Sequence, residues 1–335
     1  MSAEVEAENL AEHKCLSSSD FEIAKSCLED KIPPVTVVVV TYQSAQTLPR
    51  ALPSLKRGHQ TGLLDAIFVD NDSRDATVEI LRLHASWATV LATGVNNGFG
   101  RGCNIGAANI VSPYTLFLNP DAILEPEDLQ VMLDFMNSHP KAGVCGPAIV
   151  EGANSSGQGK LQFCGPRPTP ATIVWNALPF TRHSPNNKII EPNSDPFPTG
   201  WVCGAVLMIR TPLLHKLKGF DPRFFLYWEE TDLCMRTELA GYSVWAVGKS
   251  VAQHVGGASS SPDDTRIGGC IALHYLQSRY YYMLKHYGWI AANLAELVDL
   301  TMCLVMTMAD LLRGRKPLRL KTRLQARPFS LPKMR

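Results

Sequence analysis

The apolar positions of this 335-residue chain fall into short β-branched runs separated by stretches with helical spacing. Val35-Thr36-Val37-Val38-Val39-Val40 is continuous and lacks polar alternation, the pattern of a strand buried on both faces of a parallel sheet. A helical stretch follows near 47–57. Ala66-Ile67-Phe68-Val69 predicts a second strand, ending at Asp70-Asn71-Asp72-Ser73. A helix near 74–85 carries Val78, Leu81 and Ala85 on one side, and a third strand lies near 88–92. Residues 101–110, rich in small side chains, predict a helix. Tyr114 to Leu118 is a fourth strand, Pro126 suits the first turn of a helix running to about 138, and Gly143 to Val150 is a fifth strand. This βαβ series predicts an open α/β sheet, whose ligands gather at the carboxyl ends of the strands. Polar groups stand at those ends: Thr41, Asp70, Asn71, Asn96, Asn97, and Asn119 with Asp121.

Later the punctuation changes. Residues 151–200 are rich in Gly, Pro, Ser and Asn and predict a long, partly mobile loop of the kind that forms lids. Cys203 to Ile209 returns to strand character, Thr211-Pro212 starts a helix, Glu229 to Ala240 is helical with Gly241 as its stop, and Val244 to Val247 is a late strand. In 290–312 the longest uncharged run is Leu300 to Ala309, short of the ~20 residues that span a bilayer. Helical spacing there puts Glu296, Asp299 and Asp310 on one face and Leu294, Leu297, Leu304, Val305, Met308 and Leu312 on the other. Such a helix lies in a membrane interface, or packs on the core or on a second subunit as a homodimer. At the other end, residues 1–33 predict a mobile leader, with a short helix at about 20–29 from the capping-box spacing of Ser19 and Glu22. The expected domains are therefore the leader, a main domain over 34–257 with halves 34–150 and 151–257, and a C-terminal part over 258–335 with amphipathic helices and a basic tail.

The formal net charge of +1 points to no polyanionic partner, so nucleic acid is not expected. The distribution says more. Residues 1–30 hold eight acids against Lys14 and Lys25, while residues 313–335 hold nine basic residues and no acid. That end suits an anionic membrane surface or simple solvation. Nine scattered cysteines without a C-x-x-C pair indicate free thiols in a reducing compartment, and no secretory signal precedes them. The expected location is cytoplasmic, or peripheral on the inner face of the cytoplasmic membrane.

Three segments carry chemistry: Asn119-Pro120-Asp121, Trp228-Glu229-Glu230-Thr231-Asp232 and His254. Displacing a nucleoside diphosphate from a sugar requires charge neutralisation on the leaving group and a carboxylate to take the acceptor's proton. Asp121 and His254 offer an oxygen and a nitrogen ligand, a set suited to Mn²⁺ or Mg²⁺. Glu230 is the candidate base, its proton affinity expected to rise beside Glu229 and Asp232. Each also has a plainer reading, as helix-start acids, a hydrogen-bonded histidine or turn residues. Gly98-Phe99-Gly100-Arg101-Gly102 lacks full dinucleotide-binding spacing and follows the third strand; its glycines suit close approach to a ligand or a packed neighbour, and Arg101 could face phosphate or solvent.

In this order the motifs resemble those of the inverting glycosyltransferases of family 2. The likeness covers about residues 34–257: Val37 to Tyr42, Val69 to Ser73, Asn96 to Gly106, Leu118 to Asp121, Gly204-Ala205, Gly219 to Asp221, Phe225 to Leu233, and His254 to Ser259. The span from Asn96 to Gly106 is similar to the rhamnosyltransferase-like branch. The resemblance implies a GT-A fold, with a Rossmann-like, mostly parallel central sheet flanked by helices and a C-terminal helical extension. It implies a metal-dependent inverting transferase that moves a sugar from a UDP- or dTDP-sugar to a hydroxyl of a glycan or lipid-linked saccharide in cell-envelope polysaccharide synthesis. By position, Glu230 is the base; Trp228, Glu229, Asp232 and Trp201 belong to the acceptor pocket; Thr41, Tyr42, Asp70, Asn71, Asn97, Gly98, Arg101, Asn104 and Asn119 belong to the nucleotide-sugar site; Asp121 and His254 hold Mn²⁺ or Mg²⁺. The chain departs from the pattern at Asn119, where relatives carry the first metal-motif aspartate, and at Glu230, where many carry aspartate. A nucleotidyltransferase would need a Lys- and Gly-rich loop after the first strand, where residues 41–50 offer only Arg50. A non-catalytic nucleotide- or glycan-binding protein is the other alternative, and Asn119 is the residue that favours it.

Overall fold

A computed structural model describes residues 32–152, 159–178, 187–254, 270–314, 316, 318–325 and 328–331. The helix expected at 20–29 lies outside them.

The β-branched opening forms β1 (Val35–Thr41), buried at every position. It is followed by α1 (Leu48–Gln60), β2 (Leu64–Asp70), α2 (Thr77–His84), β3 (Thr89–Ala92), α3 (Phe99–Ala107) and β4 (Tyr114–Leu118). β4, β1, β2 and β3 lie side by side and parallel, as the alternation predicts. The small residues of α3 serve packing: a Cβ at Gly102 would come within 2.7 Å of Val40, and one at Gly106 within 2.5 Å of Val38. The helix therefore sits directly on β1, and the glycine-rich run is explained by a packed neighbour.

The chain continues through β5 (Ala122–Leu124), α4 (Pro126–Ser138) and β6 (Ala142–Glu151). The expected 151–200 loop is more structured than its composition suggests. It contains β7 (Lys160–Leu161), β8 (Phe163–Cys164), α5 (Pro170–Ala177), β9 (Lys188–Ile189) and β10 (Phe197–Thr199). These strands are two or three residues long; β7 and β10 pair with β6 and β12, and β8 pairs with β9 across the stretch, so no local periodicity announces them. Thr169 caps α5 through a capping box, with Pro170 at the first turn.

The last elements are β11 (Val206–Arg210), α6 (Thr211–Lys216), α7 (Glu229–Leu239), β12 (Ser243–His254), α8 (Cys270–Leu312) and α9 (Leu318–Gln325). β11 enters between β4 and β6 antiparallel to both, so the complete sheet, in the order β10-β12-β6-β11-β4-β1-β2-β3, is parallel on one side and mixed on the other. β12 extends well past the expected Val247. Its ladder to β6 shifts register between Val247 and Val251, and Asp128 accepts the Val251 N–H at 2.7 Å across the irregularity. One apolar cluster lies under α1, α2 and α4; a second, including Phe117 and Phe220 with ring centroids 4.8 Å apart, lies under α3, α6 and α7. Each such fully buried side chain contributes about 1.5–3 kcal/mol.

α8 begins at Cys270, some twenty residues before the expected start, and breaks at Gly288, whose φ of 82° is left-handed. Its first part packs Tyr280 to Met283 against α5 and the start of α7.

Candidate active site

The long β12 gathers the metal-type ligands. At its end, His254 pairs with Ala122 of β5 on one side and with Glu151 of β6 on the other. Asp121 thus arrives at the imidazole from one neighbour and Glu151 from the other. Nε2 of His254 lies 3.0 Å from Asp121 Oδ1, and Asn119 Nδ2 lies 3.5 Å from the same nitrogen. On the opposite ring edge, Glu151 Oε1 is 3.9 Å from Nδ1, which is buried without a hydrogen-bond partner. Burial by itself would lower the proton affinity of His254; Asp121 and then Glu151 outweigh it and hold the pKa above the usual value.

Asp121 and His254 fit one hard cation in part. Two ligand atoms each ~2.1 Å from a metal and at right angles stand roughly 3 Å apart, the separation seen here. Among the described residues no three His, Cys, Asp or Glu side chains form a ready-made cage. Further ligand oxygens would have to come with a diphosphate.

The candidate base is aimed by strained backbone. Tyr227 and Trp228 take consecutive left-handed conformations, with φ of 68° and 71°, just before α7. Such conformations cost of order 1–3 kcal/mol each in non-glycine residues and persist where the surroundings fix them. Here the Trp228 ring is wedged 5.1 Å from Tyr282 and 5.8 Å from Tyr275 of α8. Glu230 emerges on the first turn and lies against Gly204: a Cβ there would meet the Glu230 Cβ at 3.2 Å. The next residue, Ala205, accepts the Asn119 N–H at 2.9 Å. Gly204-Ala205 therefore touches both Glu230 and the Asn119–Asp121 turn. Cys203 lies at the same junction. Burial pushes its thiol up to about 12, and Glu230, Glu151 and Asp121 all add to the effect. One sulfur thus feels all three carboxylates.

Burial raises the Glu230 pKa to about 7. The like-charge effect expected of Asp232 is not the cause. Asp232 is fully buried and turned into a clamp: Oδ2 accepts from Arg236 at 2.8 Å, and Oδ1 lies 2.6 Å from Lys285 Nζ and 2.8 Å from His286 Nε2. Burial would raise its pKa, but this clamp lowers it. Both oxygens of Asp232, expected in the acceptor pocket, are thus engaged in supporting α7. Lys285 also reaches Asp221 at 2.8 Å, tying α8 to the turn before α7. Glu229 is likewise buried, packed beside Gly100 of α3, and burial together with Glu230 holds its pKa well above the ordinary range. Trp201, half-buried, packs edge-on against Phe163 of β8 at 5.9 Å.

On the nucleotide-sugar side, several expected residues serve the scaffold. Thr41 donates to Asp70 Oδ1 at 2.9 Å, the Ser73 N–H donates to Asp70 Oδ2 at 2.9 Å, and Asn71 donates to the Gly98 carbonyl at 2.9 Å; all three side chains are buried. They shape the strand-end turn. Asn104, expected at the nucleotide-sugar site, accepts from Phe220 N and donates to Phe220 O, both at 2.8 Å, and so locks α3 to the Gly219–Asp221 turn. Gly98, with φ of 77°, lets Phe99 N donate to Phe225 O at 3.0 Å; a Cβ at Gly98 would fall 2.2 Å from that oxygen. Beside this contact opens a cavity of about 390 Å³, lined in part by Asp72, Asn96, Asn97, Arg101, Arg223 and Phe225. Tyr42 is half exposed at the end of β1.

Sequence reasoning missed Glu151 and Cys203. Glu151 ends the fifth strand and stood within reach of the strand-end rule; Cys203 carried no local signal, and neither did the Lys285–His286 clamp. A consequence of the Glu230 environment can be measured. If Glu230 is the base it must be ionised, and kcat/KM should then fall about tenfold per unit as pH drops below about 7. A flat profile from pH 5.5 to 8 would remove Glu230 from that role. The folded protein also holds this proton more tightly than the unfolded chain. Stability from this group is therefore lost as pH rises from about 4.5 to about 7.

Comparison with known proteins adds kinship. Residues 36–217, more than half of the chain, match the model of "Glycosyl transferase family 2". The N-acetylglucosaminyl-diphospho-decaprenol L-rhamnosyltransferase of Mycobacterium tuberculosis (strain ATCC 25618 / H37Rv) is 26% identical over 305 residues, covering 84% of this chain and 95% of the relative. Rhamnosyltransferase WbbL of Escherichia coli (strain K12) is 29% identical over 216 residues, covering 62% of this chain and 78% of the relative. Among solved structures, the mannosyltransferase PcManGT from Pyrobaculum calidifontis in complex with GDP-Man and Mn²⁺ superposes with a TM-score of 0.53 at 14% identity, over 88% of this chain and 85% of that one. The expected GT-A fold is borne out by this likeness.

Proposed function

From the premise that the chain belongs to glycosyl transferase family 2, we propose that this glycosyltransferase inverts the anomeric centre of its donor by direct displacement. Glu230 takes the proton of an acceptor hydroxyl, that oxygen attacks the anomeric carbon, and the bond from this carbon to the diphosphate oxygen breaks. Supporting this is one observation above the rest: a glutamate raised to about 7 rests on Gly204, whose neighbour Ala205 bonds the turn that carries Asp121.

Asp121 and His254 would hold a divalent cation, Mn²⁺ or Mg²⁺. A cation bound there would neutralise charge on the departing diphosphate. Glu151, 3.9 Å from Nδ1 on the opposite ring edge, stands where a carboxylate would accept that ring proton if His254 held a cation through Nε2. Tyr42 and Asp72 stand where a nucleoside would first meet the sheet, with Asn97 and Arg101 on the cavity wall. The names of the rhamnosyltransferase relatives support a rhamnosyl donor, and one of them a lipid-linked saccharide acceptor; a UDP or dTDP carrier and a site at the inner face of the cytoplasmic membrane complete the proposal. Trp228 would shape the acceptor side.

The test is calorimetric titration of dTDP and UDP with and without Mn²⁺, alongside turnover of dTDP-rhamnose. Mn²⁺ should tighten nucleotide binding, and Asp121→Ala should weaken the Mn²⁺-supported affinity by about 10–100-fold. Titration curves unchanged by that variant would remove Asp121 from the site. Tight binding with neither transfer nor donor hydrolysis would favour the non-catalytic alternative.

A further inference from the structure

The second part of α8 reverses the polarity of an ordinary surface helix. Sequence spacing separates its acids from its leucines; the structure buries Glu296, half-buries Asp299 and Asp310, and exposes most of the leucines. Glu296 is 3% exposed and paired with Arg279 at 3.0 Å, while Asp299 lies 2.7 Å from Arg279 and 2.9 Å from Arg323 of α9. Outside stand Trp289, Ile290, Leu294, Leu297, Leu304, Val305, Met308, Leu311 and Leu312, from 44% to 87% exposed. Thr301 is the one polar residue exposed between Trp289 and Leu312, and it donates its hydroxyl back to the Leu297 carbonyl at 2.8 Å. The strip is roughly 36 Å long by helical rise. At its end the exposed side chains turn basic, at Arg313, Lys316 and Lys321.

We propose that this strip seats α8 in the plane of an anionic lipid bilayer. An ion-pair core with an apolar exterior is the arrangement that hydrocarbon selects, since charged groups there face inward and pair. The basic end supplies the complement to anionic headgroups, and residues 313–335 contain no acid to oppose it. A second copy fits less well: paired parallel or antiparallel across this strip, it offers no exposed acid between Trp289 and Leu312 to meet the basic end. Leu273–Leu312 is long and apolar enough to cross a bilayer; the in-plane seat is the one proposed, because Arg279 and Arg323 tie its inner face to the rest of α8 and to α9. Beyond the Gly288 break, the same helix presents Lys285 and His286 to Asp232 and Tyr282 to Trp228. Resting on the proposed transfer reaction, the seat therefore holds the start of α7, with Glu230, close to a lipid-borne acceptor.

The experiment is sedimentation of the full chain with extruded vesicles, phosphatidylglycerol/phosphatidylcholine mixtures against phosphatidylcholine alone. The protein should pellet with the anionic vesicles, and Leu304→Glu with Met308→Glu should weaken binding at least about tenfold with an unchanged melting temperature. Arg313→Glu with Lys316→Glu should weaken binding to the anionic vesicles only, and 0.5 M salt should mimic it. Alkaline carbonate should release the bound protein. Absence of pelleting, binding indifferent to the leucine–methionine pair, resistance to carbonate, or a dimer that the pair dissociates would each overturn the proposal. Donor hydrolysis in solution, assayed on the same variants, should be unchanged; its absence in the parent chain would count against the transferase reading and leave vesicle binding to be judged on its own.

Discussion

Glu230→Gln should lower sugar transfer by roughly 10²–10⁴-fold, the usual worth of a positioned general base. The substitution keeps size and shape against Gly204 and removes only the ability to take a proton. Donor affinity should stay within about twofold, because the loss falls on the transition state and not on ground-state binding. The remaining activity should lose the pH dependence centred near 7 that burial gives the native carboxyl. A further sign comes from stability. The native carboxylate is held in a site that disfavours its charge, so the glutamine variant should melt above the parent at pH 8 and approach it at pH 5. Near-normal turnover in this variant would end the assignment, whatever its melting temperature.

Asp232→Ala should be the most damaging change to the fold near the site. The carboxylate is completely buried and receives Arg236, Lys285 and His286 at 2.6–2.8 Å. Its removal strands buried positive charge, and breaking such a pair costs about 3–5 kcal/mol, a large part of the ~5–15 kcal/mol that holds a typical domain folded. Urea unfolding should show the loss as a lowered midpoint. Asp232→Asn, which retains a hydrogen-bond acceptor, should recover part of it. Because Lys285 also binds Asp221, the variant loosens the junction between α8 and the start of α7. Transfer should therefore fall more than donor binding. A midpoint within 0.5 kcal/mol of the parent would show that the clamp carries little.

Periodicity made the parallel side of the sheet legible. Val35 to Val40 and Tyr114 to Leu118 are continuous apolar runs, and both form strands buried at every position. Such runs are buried by any partner, so their identity does not depend on the rest of the fold. The late strand was legible only to Val247, because Gly248-Lys249-Ser250 interrupts the alternation; the missing ladder bond is made by Asp128, over a hundred residues away. The short strands between 160 and 199 left no trace because two or three residues are too few to show a period. In the site, the residue types and their order were legible, but their orientation was not. Asn104 and Asp232 look alike, as polar residues in polar motifs, whether they face a ligand or a neighbouring helix. What commits them inward is the backbone of Phe220 and the side chains of Lys285 and His286, which approach from distant parts of the chain.

The sequence by itself determined the alternating α/β architecture, the strand-end carboxylates and the glutamate at a helix start, since each follows from local spacing and residue chemistry. Tertiary structure alone decided that β12 lies between β5 and β6, bringing Asp121 and Glu151 to opposite edges of His254. It also decided that α8 turns Glu296 and Asp299 inward and most of its leucines out. An amphipathic helix has two faces, and which one the protein covers depends on whether its neighbours bring matching apolar surface or, as Arg279 and Arg323 do here, matching charge.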